Sequence, residues 1–427
     1  MPKFCSKRWW CCFAAPAHDK EAWREMKKHV FLIGAKSLGA YGGYETFINK
    51  LTEYHADNER IQYHVAVKAN GSGSLAPENM AGATVLSKSE FLYHNARCFR
   101  VSVPEKLGAA QAIYYDCKAL AAVCDYVKKE HITDFVVYIM ACRIGPFMRR
   151  YYKKIHALGG QVFLNPDGHE WMRAKWSAPI RKYWKYSEKK MVQFCDLAIC
   201  DSVNIEKYIA DTYRKFSPHT IFIAYGAETR KSVGADEAFA EWKQRFGVEN
   251  REYFLIVGRF VPENNFETMI REFMNSHTKK SLVIVSTADD AFLTKLNEKL
   301  HFDTDTRVKF VGTVYDAELL MKIREEAFAY FHGHEVGGTN PSLLEALGAT
   351  KLNLLLKVGF NEEVGEDAAL YWTKEPGNLA ALVDTVDKMS EDEQAAFERR
   401  AKTRIQTAYS WEFIASRYES VFLGELQ

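Results

Sequence analysis

Short apolar runs alternate with helical patterns along most of this chain. The first run covers residues 30–33, and similar runs recur as far as 220–224 with helical stretches between most of them. Strands that alternate with helices predict a parallel, doubly wound sheet. The alternation restarts at 253–257 and continues to 351–356. The sequence therefore predicts an α/β protein with two Rossmann-like domains, whose strand ends would face each other across a cleft.

The same pattern sets the expected organisation of the 427 residues. We expect a lead-in at 1–28, a first domain at 29–226, a linker at 227–250, a second domain at 251–405 and a C-terminal helix at 406–427. The lead-in is basic and contains Trp and Cys, but its apolar stretch is too short for a signal peptide. It is interpreted as a loose terminus, with a membrane-surface segment as the alternative.

The cysteine content and the apolar runs indicate the compartment. The nine cysteines form no C-x-x-C pair, which argues against a disulfide framework or a zinc site and for a reducing environment. No apolar run approaches the roughly 18 to 20 residues of a membrane span. We therefore expect a cytoplasmic protein.

The net charge of +2 conceals an uneven distribution. Residues 1–200 contain 30 Lys and Arg against 18 Asp and Glu, whereas the remainder contains 27 against 37. The overall balance argues against a strongly basic nucleic-acid binder, and no nucleic-acid partner is expected. The basic first half suggests an anionic membrane surface as a partner. The alternative is two domains with different solvated surfaces.

Two glycine-rich loops follow predicted strands. The first contains Gly42 and Gly43 before a helix, and it matches neither a dinucleotide-binding fingerprint nor a P-loop. It could bind an anion at the helix start or simply form a tight turn. The second, 332–346, lets the N–H groups of Gly338, Thr339 and Asn340 point at a diphosphate. A zinc pair of His332 and His334 is disfavoured there, because no third ligand has suitable spacing.

Two further stretches combine charged and polar side chains. Arg259 follows the first strand of the second domain and could hold a phosphate or form a surface ion pair. Asp167, His169 and Glu170 follow a first-domain strand, which is a composition suited to acid and base chemistry. The alternative for Asp167 is a helix cap. The same stretch contains Trp171 and Trp176, whose ring faces could contact sugars or lipid.

Together these stretches resemble the retaining, nucleotide-sugar-dependent glycosyltransferases of family four, which have the two-domain GT-B fold. Within them, the match is closest to bacterial rhamnosyltransferases that build cell-wall and capsular polysaccharides. The matching segments are YGGYETF at 41–47, DGHEW at 167–171 with Arg173 and the KW pair at 175–176, DS at 201–202, AYGA at 224–227, GR at 258–259 with PENN at 262–265, and HGHEVGGTNPSLLEA at 332–346.

The resemblance implies a role for each site residue. The second domain would hold the donor, dTDP-β-L-rhamnose, and the first domain would hold the acceptor. The implied donor-binding residues are Gly42, Gly43, Arg259, Asn264, Gly312, Thr313, Val314, Glu335, Gly337, Gly338, Thr339, Asn340 and Glu345. The implied acceptor-binding residues are Tyr44, Trp171, Arg173 and Lys175. Asp167 is expected to orient or polarise the acceptor, with His169 and Glu170 supporting it.

Two positions depart from the wider family. Gly337 stands where a Glu is usual, and Glu335 lies two residues earlier. Asn264 and Asn265 occupy a stretch where a Lys is usual. The rhamnosyltransferase branch is similar in both respects, so these are interpreted as features of that branch.

The expected function is transfer of a sugar, with retention, to a lipid-linked saccharide at the inner face of the plasma membrane. The nucleotide sugar is a co-substrate, and the resemblance implies no cofactor and no metal at the catalytic centre. One alternative is a non-catalytic GT-B scaffold that binds sugar nucleotides, which would bind nucleotide without transfer. Another is a GT-B nucleotide-sugar epimerase, which product analysis without an acceptor would reveal.

Overall fold

The computed structural model describes residues 27–39, 42–173, 175–287 and 290–426. All of the predicted lead-in except Lys27 and Lys28 lies outside the described residues, as does Tyr41 of the first glycine-rich loop.

Fifteen strands and fourteen α-helices make up the described part, numbered here in chain order. The strands are β1 (Lys28–Ile33), β2 (Ile61–Lys68), β3 (Thr84–Ser87), β4 (Glu90–Tyr93), β5 (Ala96–Val101), β6 (Phe135–Met140), β7 (Gly160–Asn165), β8 (Leu197–Cys200), β9 (Thr220–Phe222), β10 (Tyr253–Val257), β11 (Ser281–Val285), β12 (Val308–Gly312), β13 (Ala329–His332), β14 (Leu352–Leu356) and β15 (Leu370–Trp372). The helices are α1 (Gly43–Tyr54), α2 (Gln111–Lys129), α3 (Gly145–Ala157), α4 (Ala178–Gln193), α5 (Val203–Thr212), α6 (Asp236–Phe246), α7 (Phe266–Met274), α8 (Asp290–Leu300), α9 (Ala317–Glu325), α10 (Pro341–Ala349), α11 (Gly359–Gly365), α12 (Asn378–Val386), α13 (Glu391–Arg404) and α14 (Trp411–Phe422).

The first domain is built on a nine-stranded sheet with the order β3-β4-β5-β2-β1-β6-β7-β8-β9. Every residue of the central strand β6 is buried, because helices cover both faces of a parallel sheet. The strands from β5 to β9 pair in parallel. The edge strands β3 and β4 pair antiparallel, and the sequence interpretation did not include them.

The second domain has a six-stranded parallel sheet with the order β12-β11-β10-β13-β14-β15. Helix α6 belongs to this domain by packing, since Phe239 and Trp242 lie in a core cluster with Tyr253 and Leu255. The predicted linker therefore contains a helix that stabilises the second domain. The two sheets, one parallel and one parallel except for the edge strands β3 and β4, confirm the predicted α/β class with two Rossmann-like domains.

The chain crosses back to the first domain at its C-terminal end. A short π-helical turn, Ile405–Tyr409, separates α13 from α14. Tyr409 O accepts a hydrogen bond from Ala227 N at 2.7 Å. The segment that leaves the first domain and the segment that returns to it therefore lie side by side. The aromatic side chains of Tyr418 and Phe422 then pack in the first-domain core. The C-terminal helix thus completes the domain in which the chain begins.

Candidate functional site

The loops that follow β6, β7 and β8 in the first domain meet the loops that follow β10 and β13 in the second. Parallel strands of one sheet end at a common edge, and ligands of doubly wound folds bind there. A Cβ atom added to Gly168 would lie 2.3 Å from the Cα of Gly337 and 2.6 Å from the N of Gly338. Glycine is therefore required where the two domains touch.

Asp167 follows β7 directly and has a left-handed backbone, with φ of 59°. Its N–H donates to Asn165 Oδ1 at 2.8 Å, and its own Oδ1 accepts from Gly168 N at 2.8 Å. These contacts hold the half-buried carboxylate at the sheet edge. Burial raises the pKa of Tyr44 well above its usual range, and the charge of the nearby Asp167 adds to this shift. The structure thus places Tyr44 of α1 near Asp167.

Glu170 lies within its own loop's hydrogen-bonding network. Its Oε1 accepts from Trp176 Nε1 at 2.8 Å and pairs with Lys175 Nζ at 3.0 Å. Its Oε2 pairs with Arg173 Nε at 2.5 Å. One hydrogen bond and two ion pairs therefore engage this carboxylate, and they hold it beside Arg173 and Lys175.

His169 and Trp171 pack against Tyr208 of α5. The His169 ring lies 4.2 Å from the Tyr208 ring, and Trp171 Nε1 donates to the Tyr208 hydroxyl at 3.2 Å. That hydroxyl in turn donates to buried Glu188 at 2.5 Å. Burial lowers the pKa of His169. A buried charged network behind the loop therefore positions both side chains.

A partly buried ion pair lies close to Tyr44. Arg143 follows β6, and its NH1 donates to Gly34 O at 2.9 Å and pairs with Asp116 Oδ2 at 3.3 Å. Burial raises the pKa of Asp116 to about 6, although Arg143 opposes this change. The Arg143 guanidinium lies 5.7 Å from the centre of the Tyr44 ring. The sequence interpretation assigned no role to Arg143, although it follows a strand as Asp167 does.

Asp201 is the main acidic residue to which the sequence interpretation gave no site role. It follows β8, and a Cβ atom on Gly338 would lie 2.0 Å from its Oδ1. That oxygen is buried and accepts no hydrogen bond from the described residues. Burial raises the pKa of Asp201 to about 8, and the charges of Asp167 and Glu363 act in the same direction. The feature of the sequence that could have identified Asp201 as a site residue is its position directly after a strand, next to Ser202.

Glu363 of α11 connects the second domain to helix α5 of the first. Its Oε2 accepts from Ser202 Oγ at 2.9 Å and from Asn204 Nδ2 at 2.8 Å, and its Oε1 accepts from Val203 N at 3.0 Å. A carboxylate at a helix start satisfies unpaired N–H groups and interacts favourably with the helix dipole. This contact stabilises the closed arrangement of the two domains.

The loop that opens α10 lies directly across from Asp167 and Asp201. Gly337 has φ of 136°, which favours glycine, and Thr339 Oγ1 donates to the Asp201 carbonyl at 2.5 Å. Asn340 caps the helix, because its Oδ1 accepts from Ser342 N at 2.9 Å. The predicted diphosphate-binding residues therefore form a helix start that faces the first domain.

Arg259 is exposed and forms no ion pair within the described residues. Asn264 links it to the loop after β13, since its Nδ2 donates to Arg259 O at 2.8 Å and its Oδ1 lies 2.7 Å from His334 Nδ1. Burial lowers the pKa of His334 to about 4, and the charges of Arg173 and Arg259 add to this shift. Two arginines, one from each domain, therefore lie near the neutral His334.

The remaining donor-binding candidates come from both domains. Glu335 pairs with Lys374, and Glu345 pairs with buried Arg324 at 2.6 Å while staying about one-third exposed. Gly312 ends β12 and Thr313 and Val314 follow it, and Thr313 Oγ1 lies 2.5 Å from Thr287 Oγ1. In the first domain, Gly42 precedes α1 and packs against Glu45, whereas a Cβ on Gly43 would meet open space. The roles of these residues stay predictions.

Two family models match this chain, one for each domain. Residues 27–228 match the family described as Domain of unknown function (DUF1972), and residues 238–409 match the family described as Glycosyl transferases group 1. A search of curated proteins finds no match. The glycosyltransferase match therefore falls on the second domain.

Solved structures show the same two-domain arrangement. HepE from Anabaena in complex with UDP has a TM-score of 0.65 at 15% identity and covers 93% of this chain and 100% of its own. Sucrose-phosphate synthase from Thermosynechococcus elongatus has a TM-score of 0.70 at 16% identity, with 93% and 99% covered. Trehalose-6-phosphate synthase OtsA has a TM-score of 0.68 at 12% identity, with 93% and 99% covered. The chain therefore has the GT-B fold, and the family match and the fold together support a glycosyltransferase.

The described residues contain neither a metal-binding cluster nor a membrane-spanning helix. No group of three or more His, Cys, Asp and Glu side chains there could hold a metal ion. None of the helices in that part of the chain has the length and apolar character needed to cross a membrane.

Replacing Asp201 with Asn should flatten the pH dependence of stability. The Asp201 carboxyl keeps its proton up to about pH 8 in the folded protein, whereas an unfolded Asp loses it near pH ~4. The folded state therefore binds the additional proton between these values, and the wild-type free energy of unfolding falls as the pH rises through this window. Between pH 5 and pH 8, the free energy of unfolding should therefore fall less for Asp201→Asn than for the wild type. The difference between the two falls should be roughly a few kcal/mol.

The measurement is urea denaturation at half-unit steps from pH 5 to pH 8.5. Asp211→Asn, on the exposed surface of α5, is the control and should follow the wild-type curve. Parallel curves for Asp201→Asn and the wild type would show that Asp201 is not the group that takes up the proton.

Proposed function

We propose that this protein transfers L-rhamnose from dTDP-β-L-rhamnose to a lipid-linked saccharide, with retention of configuration. The observation that carries the proposal is the placement of the 337–340 loop at the start of α10, opposite Asp167 and near Arg259, which forms no ion pair within the described residues. The group 1 family match and the resemblance to rhamnosyltransferases support it. HepE, which shares the fold, has been solved with UDP and with UDP-glucose.

The charge that develops on the leaving diphosphate determines which groups matter. The bond between the anomeric carbon and the phosphate oxygen breaks, and negative charge accumulates on that oxygen. The Arg259 guanidinium and the N–H groups at the start of α10 stabilise this charge in a site from which closure excludes water. Because the second half of the chain has more acidic than basic residues, these local groups provide most of the positive potential.

The acceptor hydroxyl forms the new bond to the anomeric carbon on the face that the diphosphate leaves, and its proton passes to the diphosphate oxygen. Asp167 accepts a hydrogen bond from this hydroxyl and orients it. Tyr44 and Arg173 line the same side of the cleft, as the charges that affect their pKa values indicate. His169, Trp171 and Glu170 hold the loop that carries them.

The acceptor side of the molecule carries a basic, partly apolar surface. Neighbouring helices α3 and α4 expose Arg149, Arg150, Lys153, Lys154, Arg181 and Lys182. The same two helices expose Phe147, Ile180 and Tyr186. Basic and aromatic side chains together favour binding to an anionic membrane surface. We infer that the first domain docks there as a peripheral protein, where a lipid-linked acceptor would be found.

The donor is tested by thermal denaturation in the presence of dTDP-β-L-rhamnose, UDP-glucose and GDP-mannose. Ligand binding to the folded state stabilises it by mass action, so the melting temperature should rise with dTDP-β-L-rhamnose alone. Arg259→Ala should reduce that rise, whereas Arg245→Ala, on helix α6, serves as the control. A rise with UDP-glucose or GDP-mannose and none with dTDP-β-L-rhamnose would refute the rhamnosyl donor.

The role of Asp167 is tested by the turnover of Asp167→Asn with a natural acceptor. Loss of the carboxylate removes the group that orients the acceptor, so kcat should fall by about 10²- to 10⁴-fold. Donor affinity should be retained, because Asp167 lies on the acceptor side. Asp125→Asn, which changes an exposed residue of α2, is the control. Full turnover by Asp167→Asn would exclude the proposed role.

Membrane docking is tested by sedimentation with vesicles that contain phosphatidylglycerol. Binding should be strong at low salt and should weaken at 0.5 M salt, because surface electrostatics are screened. The double variant Arg181→Glu/Lys182→Glu should bind less than the wild type, and Lys279→Glu in the second domain should bind equally well. Absent or salt-independent binding would remove this part of the proposal.

A further inference from the structure

Glu263 is a buried carboxylate whose hydrogen-bonding capacity is unused. It lies in the short turn Pro262–Asn264 that follows β10, and it is 4% exposed. Neither carboxylate oxygen has a hydrogen-bond partner among the described residues, and neither takes part in an ion pair there. A carboxylate can only accept hydrogen bonds, and its burial without donors is unfavourable. The site is therefore built for a ligand that supplies hydrogen-bond donors.

The turn that carries Glu263 is tied to the proposed diphosphate site from both sides. Glu335 N donates to Glu263 O at 3.1 Å, which joins the turn to the loop after β13. The adjacent Asn264 contacts the carbonyl of Arg259 and the ring of His334. Glu263 therefore lies in the same loop as Arg259, and a backbone hydrogen bond joins it to the loop that leads to the start of α10.

The carboxylate also faces the first domain. Burial by itself lowers the pKa of Arg173. The charges of nearby carboxylates outweigh this effect, so the pKa of Arg173 is raised. Those carboxylates include Asp167 and Glu170 of the first domain and Glu263 of the second. Arg173 nevertheless pairs with Glu170 and not with Glu263, so no ion pair within the described residues neutralises the buried Glu263 carboxylate.

The charge of Glu263 indicates the part of the donor that it would contact. A carboxylate repels a diphosphate, whereas Arg259 and the N–H groups at Gly338–Asn340 attract one. A sugar attached to that diphosphate and reacting beside Asp167 must extend towards the first domain. Its hydroxyl groups are neutral donors, and a carboxylate can accept from two of them at once.

We propose that Glu263 is a donor-sugar-binding residue that accepts hydrogen bonds from the ring hydroxyls of the transferred sugar. The proposal rests on the proposed function, since it assigns a subsite within the same donor site. Glu263 distinguishes a nucleotide sugar from the free nucleoside diphosphate, because only the former supplies the hydroxyls.

The test is isothermal titration calorimetry of the full chain with dTDP-β-L-rhamnose and with dTDP, repeated with UDP-glucose and UDP. Glu263→Gln keeps the shape of the side chain but removes its charge. Its affinity for the nucleotide sugar should fall about tenfold to a hundredfold, the usual effect of losing a hydrogen bond to a charged group. Its affinity for the nucleoside diphosphate should be unchanged or slightly higher, and this retained binding also shows that the variant is folded.

The burial-matched control is Glu272→Gln. Glu272 is 1% exposed in the same domain, but its Oε2 accepts from Gly377 N at 2.8 Å, at the start of α12. It should lose no affinity for either ligand. A repeat in EDTA removes divalent ions, and the difference between the two ligands should persist.

Each other outcome overturns the assignment in a different way. Equal losses for nucleotide sugar and nucleoside diphosphate would show a structural role, and no loss for either would show that Glu263 does not contact the ligand. A difference that disappears in EDTA would show that Glu263 binds a cation. If the wild type binds neither pair of ligands, the proposed function fails, and the subsite fails with it.

Discussion

The close contact between Gly168 and the Gly337–Gly338 loop is the constraint on which the candidate site depends. The two parallel sheets end at this point, and any side chain on Gly168 would overlap the opposite backbone. Closure brings Asp167 and Asp201 of one domain to the start of α10 in the other. Glu363 secures the same arrangement by accepting hydrogen bonds at the start of α5. The polar groups of the site exist as a set only because the backbones approach this closely.

Acidic side chains are concentrated around this contact. Burial, with the charges of Asp167 and Glu363 acting in the same direction, raises the pKa of Asp201 to about 8, so its carboxyl keeps a proton near neutral pH. Arg173 and Arg259 provide positive charge from opposite sides of the cleft, near the neutral His334. An anionic donor would therefore enter a site whose positive groups are few and local. This explains why backbone N–H groups, which carry no titratable charge, are suited to hold its diphosphate.

Most of the fold was predictable from local pattern. The strands that are buried on both faces, such as β6 and β10, form continuous apolar runs that are readily recognised. The hairpin strands β3 and β4 were missed because they are short, lie at the sheet edge and are mostly exposed. In the candidate site, Asp167 and the 337–340 loop were recognisable from polar residues after strands. Glu263 and Glu363 were not recognisable from the sequence. The candidate role of each depends on which residues of the other domain lie beside it.

The sequence alone determined the two α/β domains and the loops that carry the candidate chemistry, because strand and helix periods and glycine-rich turns are local properties. Only the tertiary structure decided which of these loops meet. It placed Gly168 against Gly337 and buried Asp201 against Gly338. It also gave Glu170 one hydrogen bond and two ion pairs, and it left Glu263 without a hydrogen-bond donor among the described residues. It also returned the C-terminal helix to the first domain through Tyr418 and Phe422. The physical reason is that burial and charge pairing depend on contacts between residues far apart in the chain, whereas periodicity does not.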